Sequence, residues 1–143
     1  MFEEIRMVPN QAGSFPSRTS IAAWLSVRNG RGAAEFYKVA FGAVEVYRLD
    51  GPDSTVVARL SVDGAEFWLA DESPEHGNFS PASLAGCTTR MILTVADPDA
   101  MFARALAAGA KEVYPVSEGH GWRVGRVVDP FGHHWEIGRP IAR

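Results

Sequence analysis

The chain has 143 residues and 15.5 kDa, with 14 Lys and Arg against 17 Asp and Glu, one Cys, and 46% hydrophobic residues. That length suits a single domain with a sizeable core, and the hydrophobic fraction argues against wholesale disorder. A formal charge of -3 argues against a nucleic-acid binder, and the lone Cys87 permits no internal disulfide, so a reducing cytoplasm is the expected compartment.

Residues 1–19 begin with Glu3 and Glu4 among the first positions and carry Pro, Ser and Gly without an apolar stretch. They read as a loose N-terminal arm and not as a signal peptide. No apolar run approaches the ~18 residues of a membrane span. Beyond the arm the chain repeats itself. GAVEVY at 42–47 returns as GAKEVY at 109–114, and WLSV at 24–27 returns as ILTV at 92–95, at nearly the same spacing. Two copies are too few for a solenoid and fit one supersecondary unit used twice.

In copy one (20–70), Ile21, Ala23, Leu25 and Val27 alternate with Ala22, Trp24 and Ser26, the pattern of a half-buried strand. Asn29 offers a helix N-cap, and Ala33, Phe36, Tyr37, Ala40 and Phe41 form one apolar stripe that Gly42 ends. Strands near 43–50, 55–62 and 65–70 follow, the last two joined by Asp63-Gly64, a tight-hairpin signal. Residues 71–88 lack periodicity and read as a connector. In copy two (89–139), Met91, Leu93 and Val95 mark a strand, and Asp97-Pro98 starts a helix with Phe102, Ala105 and Leu106 inward. Gly109 ends that helix, strands follow near 111–117, 122–128 and 133–138, and residues 140–143 form a short tail. The fold class is α+β, with two tandem βαβββ modules.

Alternation along the strands sorts the side chains into two faces. Leu25, Val27, Leu93, Phe67, Leu69, Trp135 and Ile137 belong under the helices. The opposite face carries Trp24, Trp68, Arg90, Ile92, His134 and Glu136, a mixture of aromatics and charges that suits a ligand cavity.

Two βαβββ copies, the G-A-x-E-V-Y segments and the closing DPFGHHWEI resemble the vicinal oxygen chelate superfamily, the group of glyoxalases, bleomycin-resistance proteins and extradiol dioxygenases. The resemblance covers about residues 20–139 and implies cupped half-barrel sheets with helices on their outer face, and a homodimer. Metal-dependent members place His, Glu or Gln ligands at four pseudo-symmetric strand positions, which fall here on Ala22, Trp68, Arg90 and Glu136. Methyl and indole groups have no usable lone pair and guanidinium stays cationic, so Glu136 is the one surviving ligand and no metal is expected. Arg90 and Glu136 can instead form an ion pair in the ion's place. The run R-x-G-x-x-x-D-P-F-G-H-x-W from Arg123 to Trp135 is similar to a subgroup without the metal.

Of the remaining candidates, adjacent His133 and His134 point oppositely in a strand. His134 shares its side with Glu136, and His133 is expected to bond the turn backbone. Trp122, in a glycine-flanked stretch, stands where a flexible loop would cover a cavity mouth, and an exposed aromatic packing on its own sheet is an equal reading. His76 and His120 lie in loops without further ligands, and Cys87 has no paired base nearby in sequence. The leading expectation is a small-molecule-binding protein without cofactor, its cavity lined by Trp24, Trp68, Arg90, Ile92, Trp122, His134 and Glu136 and suited to an aromatic or charged compound. Two alternatives keep the fold. One is a lyase, isomerase or dioxygenase using a divalent metal, and the other is a metal-free enzyme using His134 and Glu136 as acid and base.

Overall fold

In the computed structural model, which describes residues 18–142, helix and strand boundaries follow the caps and turns written in the sequence. Copy one runs β1 (Trp24–Val27), α1 (Gly30–Phe41), β2 (Val44–Asp50), β3 (Val56–Val62) and β4 (Ala65–Asp71). A short helix, α2 (Pro81–Leu84), interrupts the connector. Copy two runs β5 (Arg90–Thr94), α3 (Pro98–Ala108), β6 (Lys111–Gly119), β7 (Trp122–Val128) and β8 (His134–Pro140). Residues 1–17 of the expected arm lie outside the described residues, as does Arg143 of the expected tail.

The caps explain the helices. The Asn29 side chain accepts from the Gly32 amide, the Asp97 side chain accepts from the Ala100 amide, and Gly42 closes α1 in the left-handed region. The Asp63-Gly64 hairpin has positive φ at both residues, 50° and 90°, as a type I′ turn requires. Three expectations need correction. Ile21 precedes β1 and is 98% exposed, because no neighbouring strand pairs that far. The connector carries α2 and a short 3-10 turn at Pro74–His76, and β4 extends to Asp71. The last strand runs through Pro140, which the sequence places in the tail.

Each copy makes one open, mixed, four-stranded sheet, in the orders β1-β4-β3-β2 and β5-β8-β7-β6. In each, the first strand pairs parallel with the fourth and the other pairs are antiparallel. One hydrophobic cluster serves both sheets. Phe36, Tyr37, Ala40 and Phe41 of α1 are buried with Leu25, Val27, Phe67 and Leu69, and with Leu93, Phe102, Trp135 and Ile137 of copy two. Trp135 sits 4.8 Å from Phe41 and 5.4 Å from Phe67, centroid to centroid, so the helix-side faces of the two copies meet directly. At roughly 1.5–3 kcal/mol per buried large apolar side chain, this shared core is the main force joining the copies.

A buried carboxylate fastens the same junction. Asp129 accepts from the Phe131 and His133 amides, each at 2.9 Å, from the Trp135 indole at 2.9 Å and from the Tyr37 hydroxyl of copy one. The His133 ring, expected against its own turn, instead reaches across to the Ser26 carbonyl of β1 at 2.9 Å. The rest of the closing motif is structural as well. Arg123 grips Asp99 at the start of α3 with two hydrogen bonds of 2.8 Å, which holds the Asp99 carboxyl below its ordinary range. A Cβ on Gly125 would lie 2.8 Å from both the Phe102 ring and the Val116 backbone nitrogen, so only glycine lets α3 settle on the sheet there.

Candidate functional site

Because the helix-side faces pack together, the opposite faces of the two sheets point away from each other. The candidate residues divide accordingly. Trp24 and Trp68 stand on the first sheet, and Arg90, Ile92, Trp122, His134 and Glu136 belong to the second. Within one chain they do not line a single cavity.

On the first face the register sets Trp24 beside Trp68, Trp68 beside Arg59, and Arg59 beside Tyr47. The two indoles stack with centroids 5.8 Å apart at 17°, and Tyr47 meets Trp68 edge-on at 5.8 Å. The Arg59 guanidinium lies 5.5 Å from the Trp68 ring centroid and 3.0 Å from the Glu66 carboxylate. The second face repeats the row with other chemistry: Ile92 beside Glu136, Glu136 beside Arg126, and Arg126 beside Tyr114. Arg126 covers the Tyr114 ring at 5.3 Å and reaches Glu136 at 3.2 Å. Arg90, one step diagonally across, donates from Nε to the same Glu136 oxygen, the pairing expected from the sequence.

Four members of these rows, Tyr47, Arg59, Tyr114 and Arg126, are missing from the sequence reading. Their signal lies in the repeat itself. The last residue of each G-A-x-E-V-Y segment is the Tyr, and an Arg stands at matching positions in A-R-L and G-R-V, at the spacing that relates the two G-A-x-E-V-Y segments. A bulge after Glu45 and another after Glu112 shift the alternation, so simple parity along those strands misplaces the tyrosines.

Trp122 does not sit on a flexible loop. His120 and Gly121, with φ of 53° and 83°, make a tight turn between β6 and β7, and Trp122 pairs with Gly119. It lines a cavity of about 340 Å³ with Ile92, Val124 and Glu136. His134 faces a different cavity, of about 420 Å³, beside Cys87, Lys111 and Val128, and its Nδ1 is buried without a hydrogen-bond partner. No hydrogen bond links it to Glu136. The Cys87 Sγ lies 4.0 Å from His133 Nδ1, a base that separation along the chain conceals.

A family model described as a glyoxalase-like domain matches residues 22–138. The chain belongs to this glyoxalase-like family. The uncharacterised protein Mb0911c of Mycobacterium bovis is 40% identical over 127 residues, covering 85% of this chain and 84% of the relative. The crystal structure of the Arabidopsis thaliana gene product At5g48480 is similar at 32% identity and a TM-score of 0.64, over 85% of this chain and 97% of that one. TnmS3, an antibiotic binding protein from a Streptomyces species, shares the fold at 19% identity and a TM-score of 0.65, over 87% of this chain and 98% of its own. The glyoxalase part of the resemblance therefore holds, as does its fold of two tandem modules.

The resemblance implies that metal-dependent members hold a divalent ion at four strand positions on these faces. The corresponding positions carry Ala22, Trp68 and Arg90 beside Glu136, and the Glu136 oxygen that would bind an ion accepts from two guanidiniums. Among the described residues no group of three or more His, Cys, Asp or Glu side chains is gathered for a metal. The residues of this glyoxalase-like chain do not fit the ion. No helix among the described residues is long and apolar enough to cross a membrane.

Proposed function

We propose that this glyoxalase-like protein binds a small aromatic or charged molecule without a catalytic metal. The observation that carries the reading is the Arg90–Glu136–Arg126 cluster, where metal-dependent relatives of the fold would need neutral or anionic donors. A guanidinium offers only hydrogen-bond donors, so the cluster is built to meet a ligand's acceptors and not a cation's empty orbitals. The paired indoles of Trp24 and Trp68 supply a stacking surface on the other sheet. TnmS3, which shares the fold, is an antibiotic binding protein, in keeping with this reading.

Each face alone is a half-site. Ile92 is 60% exposed, and among the described residues the β1 and β5 edges are unpaired on one side. Two copies related by a two-fold axis would lay the indole face of one over the Arg90–Glu136 face of the other, twice, and cover both apolar surfaces. The reading therefore includes a homodimer. Elemental analysis, sedimentation equilibrium and a thermal-shift screen in excess chelator test it together. The expected result is a dimer with far less than one metal per chain and a melting temperature that rises with aromatic ligands. A stoichiometric metal whose removal abolishes binding would reverse the proposal.

A further inference from the structure

The connector brings Cys87, the one cysteine of the chain, against the turn before β8 with its side chain exposed. Its Sγ is in reach of two acceptors, the Thr89 carbonyl oxygen at 3.0 Å and His133 Nδ1 at 4.0 Å. A thiol hydrogen turns about the Cβ–Sγ bond, so it passes from one acceptor to the other without displacing the sulfur.

The His133 ring is set to act as the base. Its Nε2 lies 2.9 Å from the Ser26 carbonyl oxygen, which can only accept, so the ring proton belongs on Nε2 and the neutral imidazole keeps its lone pair on Nδ1. Among the described residues Nδ1 meets no polar atom but Cys87 Sγ. His133 is only 9% exposed, and its backbone amide donates to Asp129 at 2.9 Å, so the residue is held from both ends. Nucleophile, base and orienting carbonyl thus stand in one line, the arrangement that activates a catalytic thiol.

The surroundings fit a reactive thiol as well. Cys87 and His133 line the same cavity of about 350 Å³, whose walls are Trp24, Phe79, Leu84 and Met91. Phe79 and Leu84 are 44% and 60% exposed, an apolar rim that an apolar ligand would cover. On its other side Cys87 lines the 420 Å³ cavity with Lys111 and with His134, whose Nδ1 is buried without a partner. A cation sharing a cavity with a thiol favours its thiolate. The acid on that wall, Asp129, is buried and already accepts from four donors.

We propose that Cys87 is a covalent capture site for an apolar α,β-unsaturated carbonyl compound, with His133 as its base. His133 Nδ1 takes the thiol proton and Sγ bonds to the β-carbon. The alkene π pair moves toward the carbonyl as an enolate, and the proton on His133 returns to the α-carbon. The addition balances without an oxidant, a leaving group or a second substrate. This site uses neither the indole pair nor the Glu136 cluster as its reacting group, so it does not depend on the ligand-binding reading above.

The test is the rate of adduct formation on the full chain, followed by intact mass, with N-benzylmaleimide and N-methylmaleimide as matched probes. Each rate is divided by that of N-acetylcysteine with the same probe. Cys87 should react about tenfold or more faster than the free thiol at neutral pH, and the benzyl probe should gain more than the methyl one. His133→Gln keeps a donor for the Ser26 carbonyl but no basic nitrogen. It should slow both probes about tenfold while preserving the benzyl preference, which reports an intact cavity. A variant that loses the preference too has lost the cavity, and the wild-type comparison with N-acetylcysteine then decides. A wild-type rate no greater than that of the free thiol, or one unchanged in a His133→Gln protein that keeps the benzyl preference, overturns the proposal. Equal gains for the two probes overturn the apolar selectivity.

Discussion

The two copies started from one pattern and have been specialised in opposite ways, most plainly at the turn before the last strand. In copy one that turn is Asp63-Gly64, exposed, with open space around Gly64. In copy two it is Asp129 to Gly132, with Asp129 buried and its carboxylate bonded to donors of four residues, one of them Tyr37 from copy one. The outer faces diverge as well. The repeat mates Trp68 and Glu136 are an aromatic platform in one copy and a charged anchor in the other. A duplicated unit can thus spend one copy's turn on holding the halves together and leave the other's as a plain hairpin. The Arg and Tyr mates, Arg59 with Arg126 and Tyr47 with Tyr114, are kept in both, and each face retains a cation packed on an aromatic ring, Arg59 on Trp68 in copy one and Arg126 on Tyr114 in copy two.

The same substitution at both turns should break this symmetry most. Asp129→Asn replaces an acceptor with an amide donor facing Tyr37 and Trp135 and should cost about 3–5 kcal/mol in urea unfolding. Asp63→Asn keeps a residue that tolerates positive φ on an exposed turn and should stay within about 0.5 kcal/mol. Comparable losses at the two sites would refute the asymmetry.

Tyr37 gives the next effect. Its hydroxyl donates to Asp129, so Tyr37→Phe should cost about 1.5–3 kcal/mol. Burial first, and then the Asp129 charge, push the Tyr37 phenol well above its ordinary value. A raised value in the fold means the stabilisation is complete below the unfolded tyrosine value of about 10 and is lost as pH rises beyond it. Alkaline unfolding of the wild type should therefore be steeper above that pH than that of Tyr37→Phe; parallel curves would count against the buried bond.

Gly125 and its repeat mate Ala58 sharpen the packing comparison. Ala58 is fully buried and accommodated, whereas Gly125→Ala must push against Phe102 and the Val116 backbone, at about 1–3 kcal/mol. An unchanged unfolding midpoint would show that α3 can shift freely.

The smallest contrast is electrostatic. Glu45 bonds Lys38 at 2.6 Å and Arg48 at 3.0 Å, and the Lys38 hydrogen bond chiefly holds its carboxyl below the ordinary range. For its mate Glu112, the position matching Lys38 is Ala105, which carries no charge to pair with. Glu45→Gln should cost under about 1 kcal/mol at neutral pH in low salt, and Glu112→Gln nothing measurable. Because a depressed carboxylate value stabilises only above the unfolded pKa, the Glu45 contribution should vanish on acidification through the folded value.

Much of this is legible in the chain. Asn29, Asp97, Gly42 and Asp63-Gly64 act through bonds to residues a few positions away, and the stripe Ala33–Phe41 needs only helical spacing, so they read correctly without coordinates. The Arg90–Glu136 pair is legible through the resemblance, which implies that the two positions meet on one sheet, as they do. What the chain hides depends on bulges and on direction. The bulges beside Glu45 and Glu112 shift Tyr47 and Tyr114 out of simple alternation. The Gly119–Trp122 turn looks like a loop because glycine marks tight turns and flexible ones alike.

By itself, then, the sequence determined two βαβββ modules and which side of β1, β4, β5 and β8 goes under a helix, since both depend on residue type and local spacing. Only the tertiary structure decided that the two outer faces turn their backs on each other, that Asp129 and His133 reach into the other copy, and that Arg126 joins Arg90 on Glu136. Those are contacts between segments far apart in the chain, set by how the shared aromatic core around Tyr37 and Trp135 closes, and no local pattern encodes the angle at which two sheets meet.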